Sequence, residues 1–238
     1  MKNRILPEQF HILSGSALKA IAVAAMVIDH VGICLESRPV PLFTAFGQQI
    51  TLYLVMRFIG RLAFPIFAFL IVEGYRHTRN RIRYGASLLL FAFLSEIPWD
   101  LFNSGMWFSF DKQNVFFTLF LGYLGIFAYE YFRDRRFLRV FAIVLLLTAS
   151  LFLQADYGLG GFCFLLLVYA LRDYELLRDA VGVAVLSSGW KAGLAFFPLA
   201  LYNEKRGFIK GPVLKYAFYL FYPLHLLILY FIRIRYLG

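Results

Sequence analysis

The stretch ALKAIAVAAMVIDHVGICL, residues 17–35, is apolar at almost every position and breaks that pattern only at Lys19, Asp29 and His30. A run of this length matches the roughly 20 residues that a helix needs to cross a hydrocarbon core. Eight more apolar segments follow, at 50–75, 84–102, 114–132, 137–154, 158–171, 179–189, 191–202 and 213–234. The expected fold is all-α: a polytopic integral-membrane helical bundle of roughly seven to nine transmembrane segments, some short or re-entrant. Residues 1–238 read as one transmembrane domain, without an internal repeat, a soluble domain or a low-complexity linker.

Composition agrees with that reading. Hydrophobic residues make up 61% of the 238 positions and charged residues 16%, and the mean hydropathy is +0.70. A soluble domain is about 45–50% apolar and about 25% charged, so a soluble globular domain, a disordered chain and a disulfide scaffold are excluded. Cys34 and Cys163 lie inside apolar runs and form no CxxC motif. They read as small core residues. The first apolar run lacks a small-residue cleavage site and is expected to remain as a helix.

The net charge of +10 does not call for nucleic acid, because basic residues gather in the cytoplasmic loops of membrane proteins. Residues 76–83 hold Arg76, Arg79, Arg81 and Arg83, and residues 133–139 hold Arg133, Arg135, Arg136 and Arg139. The intervening loops 36–49 and 103–113 have one basic residue each. The alternation places the Arg-rich loops and the N-terminus, with Lys2 and Arg4, in the cytoplasm. The loop with Lys205, Arg206 and Lys210 belongs on the same side, which requires 179–202 to enter and leave on one face.

Ionisable residues at membrane depth are costly and point to function by default. This chain has Lys19, Asp29, His30, Arg57, Arg61, Glu73, Glu96, Asp156 and His225. Lys19 and His30 are eleven residues apart, which is three turns plus about 20°, so they share a helix face about 16 Å apart along the axis. Lys19 alone also fits a snorkelling interface anchor. Asp29 points about 100° away from His30 and is expected to meet another helix. Arg57 and Arg61 share one face at i,i+4. They can pair with a carboxylate such as Asp29 or bind a substrate carbonyl or phosphate. Pro65 is expected to kink its helix by removing a backbone hydrogen bond. Metal binding is not expected, since no second His or carboxylate lies at ligand spacing around His30 except Asp29. His225 fits either an interfacial packing role or a substrate contact, and the aromatic excess reads as lipid-facing and belt material.

These residues carry a resemblance. Lys19-x10-His30, with Asp29-His30-x-Gly32, resembles the first-helix signature of the TraX family. Arg57-x-x-Gly60-Arg61-x-x-x-Pro65-x-Phe67-x-Phe69-x-x-x-Glu73-Gly74, continued by Thr78, Asn80 and Tyr84, resembles the family's second-helix block. Ser95-Glu96-Ile97-Pro98, Asn114-x-x-x-Thr118, Tyr202-Asn203 and Phe218-Tyr219-x-x-Tyr222-Pro223-x-His225 extend the likeness over nearly the whole chain. One departure is Asn203-Glu204-Lys205-Arg206-Gly207, where the family often has Asn-Gly-Lys-Arg-Gly. The resemblance implies N-terminal acetylation of pilin or a part in fimbrial assembly, in the inner membrane of a bacterium. The family in turn resembles the integral-membrane acyltransferase family three, whose first helix pairs a basic residue with a catalytic His ten intervening residues on, as Lys19 and His30 do.

An acyltransferase of this kind would take acetyl-CoA from the cytoplasm as co-substrate and a peptide or pilin amine as acceptor, within the lipid bilayer. Lys19, Arg76, Arg79 and Arg83 are the candidate coenzyme contacts. His30 suits general-base chemistry near neutral pH. Asp29 or Glu73 would orient or charge-balance it, and Arg57 or Arg61 would stabilise the tetrahedral oxyanion. A covalent acetyl-His intermediate is a variant of the same chemistry. Glu96, Asn114, Tyr222 and His225 are the candidate substrate-binding residues. The competing classes are a proton-coupled transporter, which needs a central cleft between two related halves, and a non-catalytic pilus assembly factor, which needs no cavity. An acyltransferase needs a cavity that opens at Lys19 and reaches His30.

Overall fold

The computed structural model describes residues 4–38, 40–45, 47–186 and 190–237. The first long helix, α1, is Gly15–Cys34, and Ser14 caps it by accepting from the Ala17 amide. A short antiparallel hairpin, β1 Pro41–Ala45 and β2 Gln48–Thr51, follows. It turns at Gly47, whose φ of 75° favours a residue without a Cβ. The sequence reading placed a loop and the start of a helix there.

The expected 50–75 helix is two helices in line, α2 Leu52–Gly60 and α3 Ala63–His77. The break at Arg61–Leu62 is the kink expected from Pro65, which sits in the first turn of α3, where its missing N–H costs least. Next come α4 Arg81–Ser104, α5 Val115–Tyr131, α6 Arg136–Phe152 and α7 Gly158–Ala170. Three short helices follow, α8 Glu175–Val185, α9 Trp190–Gly193 and α10 Phe196–Ala200. The last is α11, Gly211–Ile232.

The chain is an all-α bundle, as its sequence predicts. Among the described residues, four stretches are long and apolar enough to cross a membrane by length and composition: Gly15–Cys34, Leu52–His77, Arg81–Ser104 and Val213–Tyr236. Helices α5 and α7 are shorter and pack inside. Their contact depends on small residues, because a Cβ on Gly122 would stand 2.8 Å from Leu165 and one on Gly125 would stand 3.0 Å from Phe162. Close approach of this kind is what holds helices together in lipid, where apolar burial alone gives no gain.

The Arg-rich connections share one end of the bundle. Tyr202 bonds Glu73, Arg81 stacks over Tyr75, the Tyr123 hydroxyl donates to the Arg81 carbonyl, and Arg139 stacks over Tyr129. The N-terminal segment lies there too, with Leu13 bridged to Tyr202 and the Ile5 amide donating to Glu175. Both ends of the α8–α10 stretch are therefore at this basic end, as a re-entrant path requires. Inside it, Gly182 faces the Phe196 and Phe164 rings. Residues 187–189, the end of the expected 179–189 segment, and Lys2 lie outside the described residues. The opposite, far end carries the hairpin and the loops around Lys112 and Asp156, which form an ion pair at 2.9 Å.

Candidate functional site

The face of α1 that carries Lys19 continues through Val23 and Met26 to His30, in steps of three and four residues. The face of α11 that carries Phe218 and Tyr219 continues through Tyr222 to His225. The two faces enclose a cavity of about 100 Å³. Lys19, Val23, Met26, Phe218, Tyr219 and Tyr222 line it, and α3, α4 and α5 complete its wall. Its lining is apolar apart from Lys19 and the tyrosine hydroxyls.

At the basic end, the Lys19 ammonium stands 5.4 Å from the centre of the Phe218 ring. Arg206 and Lys215 are close enough to act on its charge. Lys215 lies over the rings of Tyr84, Tyr216 and Tyr219, and Arg83 is near the Tyr216 hydroxyl. A rim of four cations, Lys19, Arg83, Arg206 and Lys215, thus surrounds this end. The sequence reading singled out Lys19 and Arg83. Arg206 and Lys215 join them only because the loop before α11 folds back onto the start of α1, where the Arg206 carbonyl accepts from Ser16.

The far end of the cavity is closed by Tyr222, whose ring centre is 6.3 Å from that of His30, so the cavity stops short of His30 instead of reaching it as expected. His30 and His225 are both buried. His30 Nδ1 lies 2.7 Å from His225 Nε2, with the rings tilted by 19°. His225 Nδ1 is 2.9 Å from the Phe221 carbonyl. Phe102 of α4 packs edge-on against His30 at 5.5 Å. Sequence spacing put no second His beside His30; the packing of the first helix against the last supplies one. Among the described residues no three His, Cys, Asp or Glu side chains gather to hold a metal ion.

Asp29 points away from the pair, as its helix position predicts, and takes Arg57 of α2 in an ion pair. Of the two readings left open for Arg57, the fold uses the carboxylate pairing. Arg61 is half-buried, and its charge acts on both Asp29 and Tyr157. Glu73 is elsewhere. It lies at the basic end and binds Arg76 at 2.6 Å, His77 at 3.4 Å and Tyr202 at 3.3 Å. That removes Glu73 from the surroundings of His30, and leaves Arg76 committed to Glu73 in a second, smaller cleft with Arg172 and Arg178. Burial and the Glu73 carboxylate push the Tyr202 phenol up, so it stays protonated and donates. Arg79 is exposed beyond the end of α3.

Glu96 and Asn114 meet each other. The Asn114 amide also donates to the Ala92 carbonyl at 2.8 Å, and its oxygen accepts from the Phe116 amide at 3.0 Å. Asn114 is the cap of α5 and a clamp on α4, and its polar atoms are already engaged. Buried Arg178, which bonds Asp179 at 2.7 Å, escaped sequence reasoning because it sits in a short, mixed segment.

The comparisons with known proteins cover most of the chain. A protein of Dichelobacter nodosus described as "Probable fimbrial assembly protein FimC, serogroup H1" is 31% identical, over 91% of this chain and 94% of its own length. No solved structure matches. A family model described as TraX protein matches residues 14–233, which take in the cavity, both histidines and the whole helical bundle. The chain belongs to the TraX family.

Proposed function

We propose that this chain is an integral-membrane acyltransferase that serves pilus or fimbrial assembly. It passes an acetyl group from cytoplasmic acetyl-CoA to an amine, such as the N-terminus of a pilin, presented from the far side. The basic end faces the cytoplasm on this reading, in keeping with the positive-inside bias. The observation that carries the proposal is the cavity lined by Lys19 and Tyr222, with the buried His30–His225 pair directly behind the Tyr222 ring, which must turn aside for the thioester to reach His30.

The four-cation rim suits the phosphates of the coenzyme, and the apolar cavity suits its uncharged arm. His30 takes the proton from the amine as its nitrogen attacks the thioester carbonyl. The carbon–sulfur bond then breaks, and the same proton returns to the leaving thiolate. Arg57, whose charge reaches His30, and Arg61 beside it are the cations placed to act on developing negative charge. Glu96 and Asn114 support the helices on the acceptor side. The transporter class asks for a cleft between two related halves, whereas this sequence shows no internal repeat and the cavity lies among α1, α3, α4, α5 and α11. The relative's printed name places it in fimbrial assembly, which fits a pilin acceptor.

The test is made in cells that assemble pili. The N-terminal peptide of the major pilin is examined by mass spectrometry with the wild-type chain, with His30→Gln, and with the gene deleted. Acetylation that depends on the wild-type chain and vanishes in His30→Gln supports the proposal. An identical pilin N-terminus in all three strains contradicts it.

A further inference from the structure

The hydrogen bonds around His225 fix more than its position. The Phe221 carbonyl can only accept, so the neutral His225 ring must carry its proton on Nδ1, 2.9 Å away. Its Nε2 is then a bare lone pair. The neighbour 2.7 Å from that lone pair is His30 Nδ1, which must therefore donate. The small angle between the rings, 19°, suits an in-plane bond of this kind. His30 is left with its lone pair on Nε2. That atom makes no hydrogen bond among the described residues and, unlike Asp29 Oδ1, is not among the polar atoms that are both sealed and unpartnered.

We propose that His225 is the positioning residue of a carbonyl–imidazole–imidazole chain, Phe221 to His225 to His30, that holds His30 in the tautomer with Nε2 free to take a proton. The role rests on the acyltransferase reading; the tautomer does not. When the acceptor amine attacks the thioester, its proton moves to His30 Nε2 while the Nδ1 proton stays bonded to His225. The resulting cation is shared across the pair until the proton passes to the thiolate sulfur. A second imidazole thus does what a carboxylate does for the base in a hydrolase triad. Asp29 does not fill that place: it points away from His30, and its Oδ2 is held by Arg57 on another helix.

The experiment uses the full chain, purified in detergent and labelled with 15N at histidine, as wild type, His225→Phe and His225→Gln. Gln can return an acceptor near the Nε2 position, whereas Phe keeps the ring and returns none. The expected 15N spectrum of the wild type shows His30 protonated on Nδ1 and bare on Nε2. His225→Phe is expected to lose that preference and His225→Gln to keep it. With acetyl-CoA and a synthetic pilin N-terminal peptide, His225→Phe should lose about 10–100-fold in turnover. Its affinity for acetyl-CoA should not change, and His225→Gln should recover most of the loss. A wild-type His30 protonated on Nε2, or a His30 tautomer unchanged in His225→Phe, overturns the proposal. Absence of transfer by the wild type with the expected tautomer in place overturns the acyltransferase reading instead, and with it the catalytic role of His225.

Discussion

Asp29 of α1 rests so closely on Gly60 of α2 that a methyl group on residue 60 would collide with both Oδ1 and Cβ of Asp29. The stem of Asp29 as well as its tip is in the way, so rotation of the side chain gives no relief. Gly60→Ala must push α1 and α2 apart. The expected cost is about 1–3 kcal/mol, the usual range for an overpacked contact, read as a fall in the melting temperature of the purified protein. An unchanged melting temperature would show that the two helices are not this close.

The same contact holds the Asp29–Arg57 pair, whose side chains are 17% and 24% exposed. Removing one partner leaves the other charge in a poorly hydrated place, whereas removing both leaves none. Asp29→Asn and Arg57→Met should each destabilise the chain, and the double variant should be less harmed than their sum. The coupling energy in such a cycle should be on the order of 1–3 kcal/mol. Additive effects would contradict the pairing.

Asn114 tests whether a polar group in the bundle serves structure or substrate. Its amide and carbonyl engage Ala92, Glu96 and Phe116. Asn114→Ala should lower stability by about 0.5–2 kcal/mol for the lost cap alone, and leave acetyl-CoA affinity of the folded fraction unchanged. Asn114→Asp keeps the capping oxygen but sets a carboxylate against Glu96, and should be the less stable of the two. A variant of full stability with weakened donor binding would return Asn114 to the substrate contacts.

Filling the cavity should stop the reaction without unfolding the chain. Val23 lines its wall and is only half-buried. Val23→Trp extends into that space and should displace the donor by an ångström or more. Misplacement on that scale costs about two orders of magnitude in turnover. Turnover at the wild-type rate, in a protein of wild-type melting temperature, would show that the donor does not use this cavity.

Much of the fold is legible because membrane helices announce themselves by length. Eight of the nine apolar segments match single helices or helix groups closely, and the Arg-rich loops fall at one end as their charges suggest. The second segment conceals a break at Arg61–Leu62, and Pro65 is its visible cause. The hairpin before it left only a weak trace, a glycine between short mixed runs. The site is half legible. Lys19 and His30 share a face because helix geometry is local, and Asp29 points away for the same reason. The contact of His30 with His225 is not local: 195 residues separate them. It depends on how the last helix packs against the first, which no spacing rule encodes. Glu73 misled for a related reason, since position along a helix fixes depth, and Glu73 lies at the opposite depth from His30.

The central claim is that the donor enters at Lys19 and reacts at His30. Its most direct test is acetyl-CoA binding by the purified, detergent-solubilised chain, measured by calorimetry for the wild type, Lys19→Ala and His30→Ala. The account predicts that the wild type binds, that Lys19→Ala binds more weakly, and that His30→Ala binds like the wild type but transfers nothing. A folded wild type that shows no binding at about millimolar ligand, which corresponds to about −4.1 kcal/mol, would contradict it.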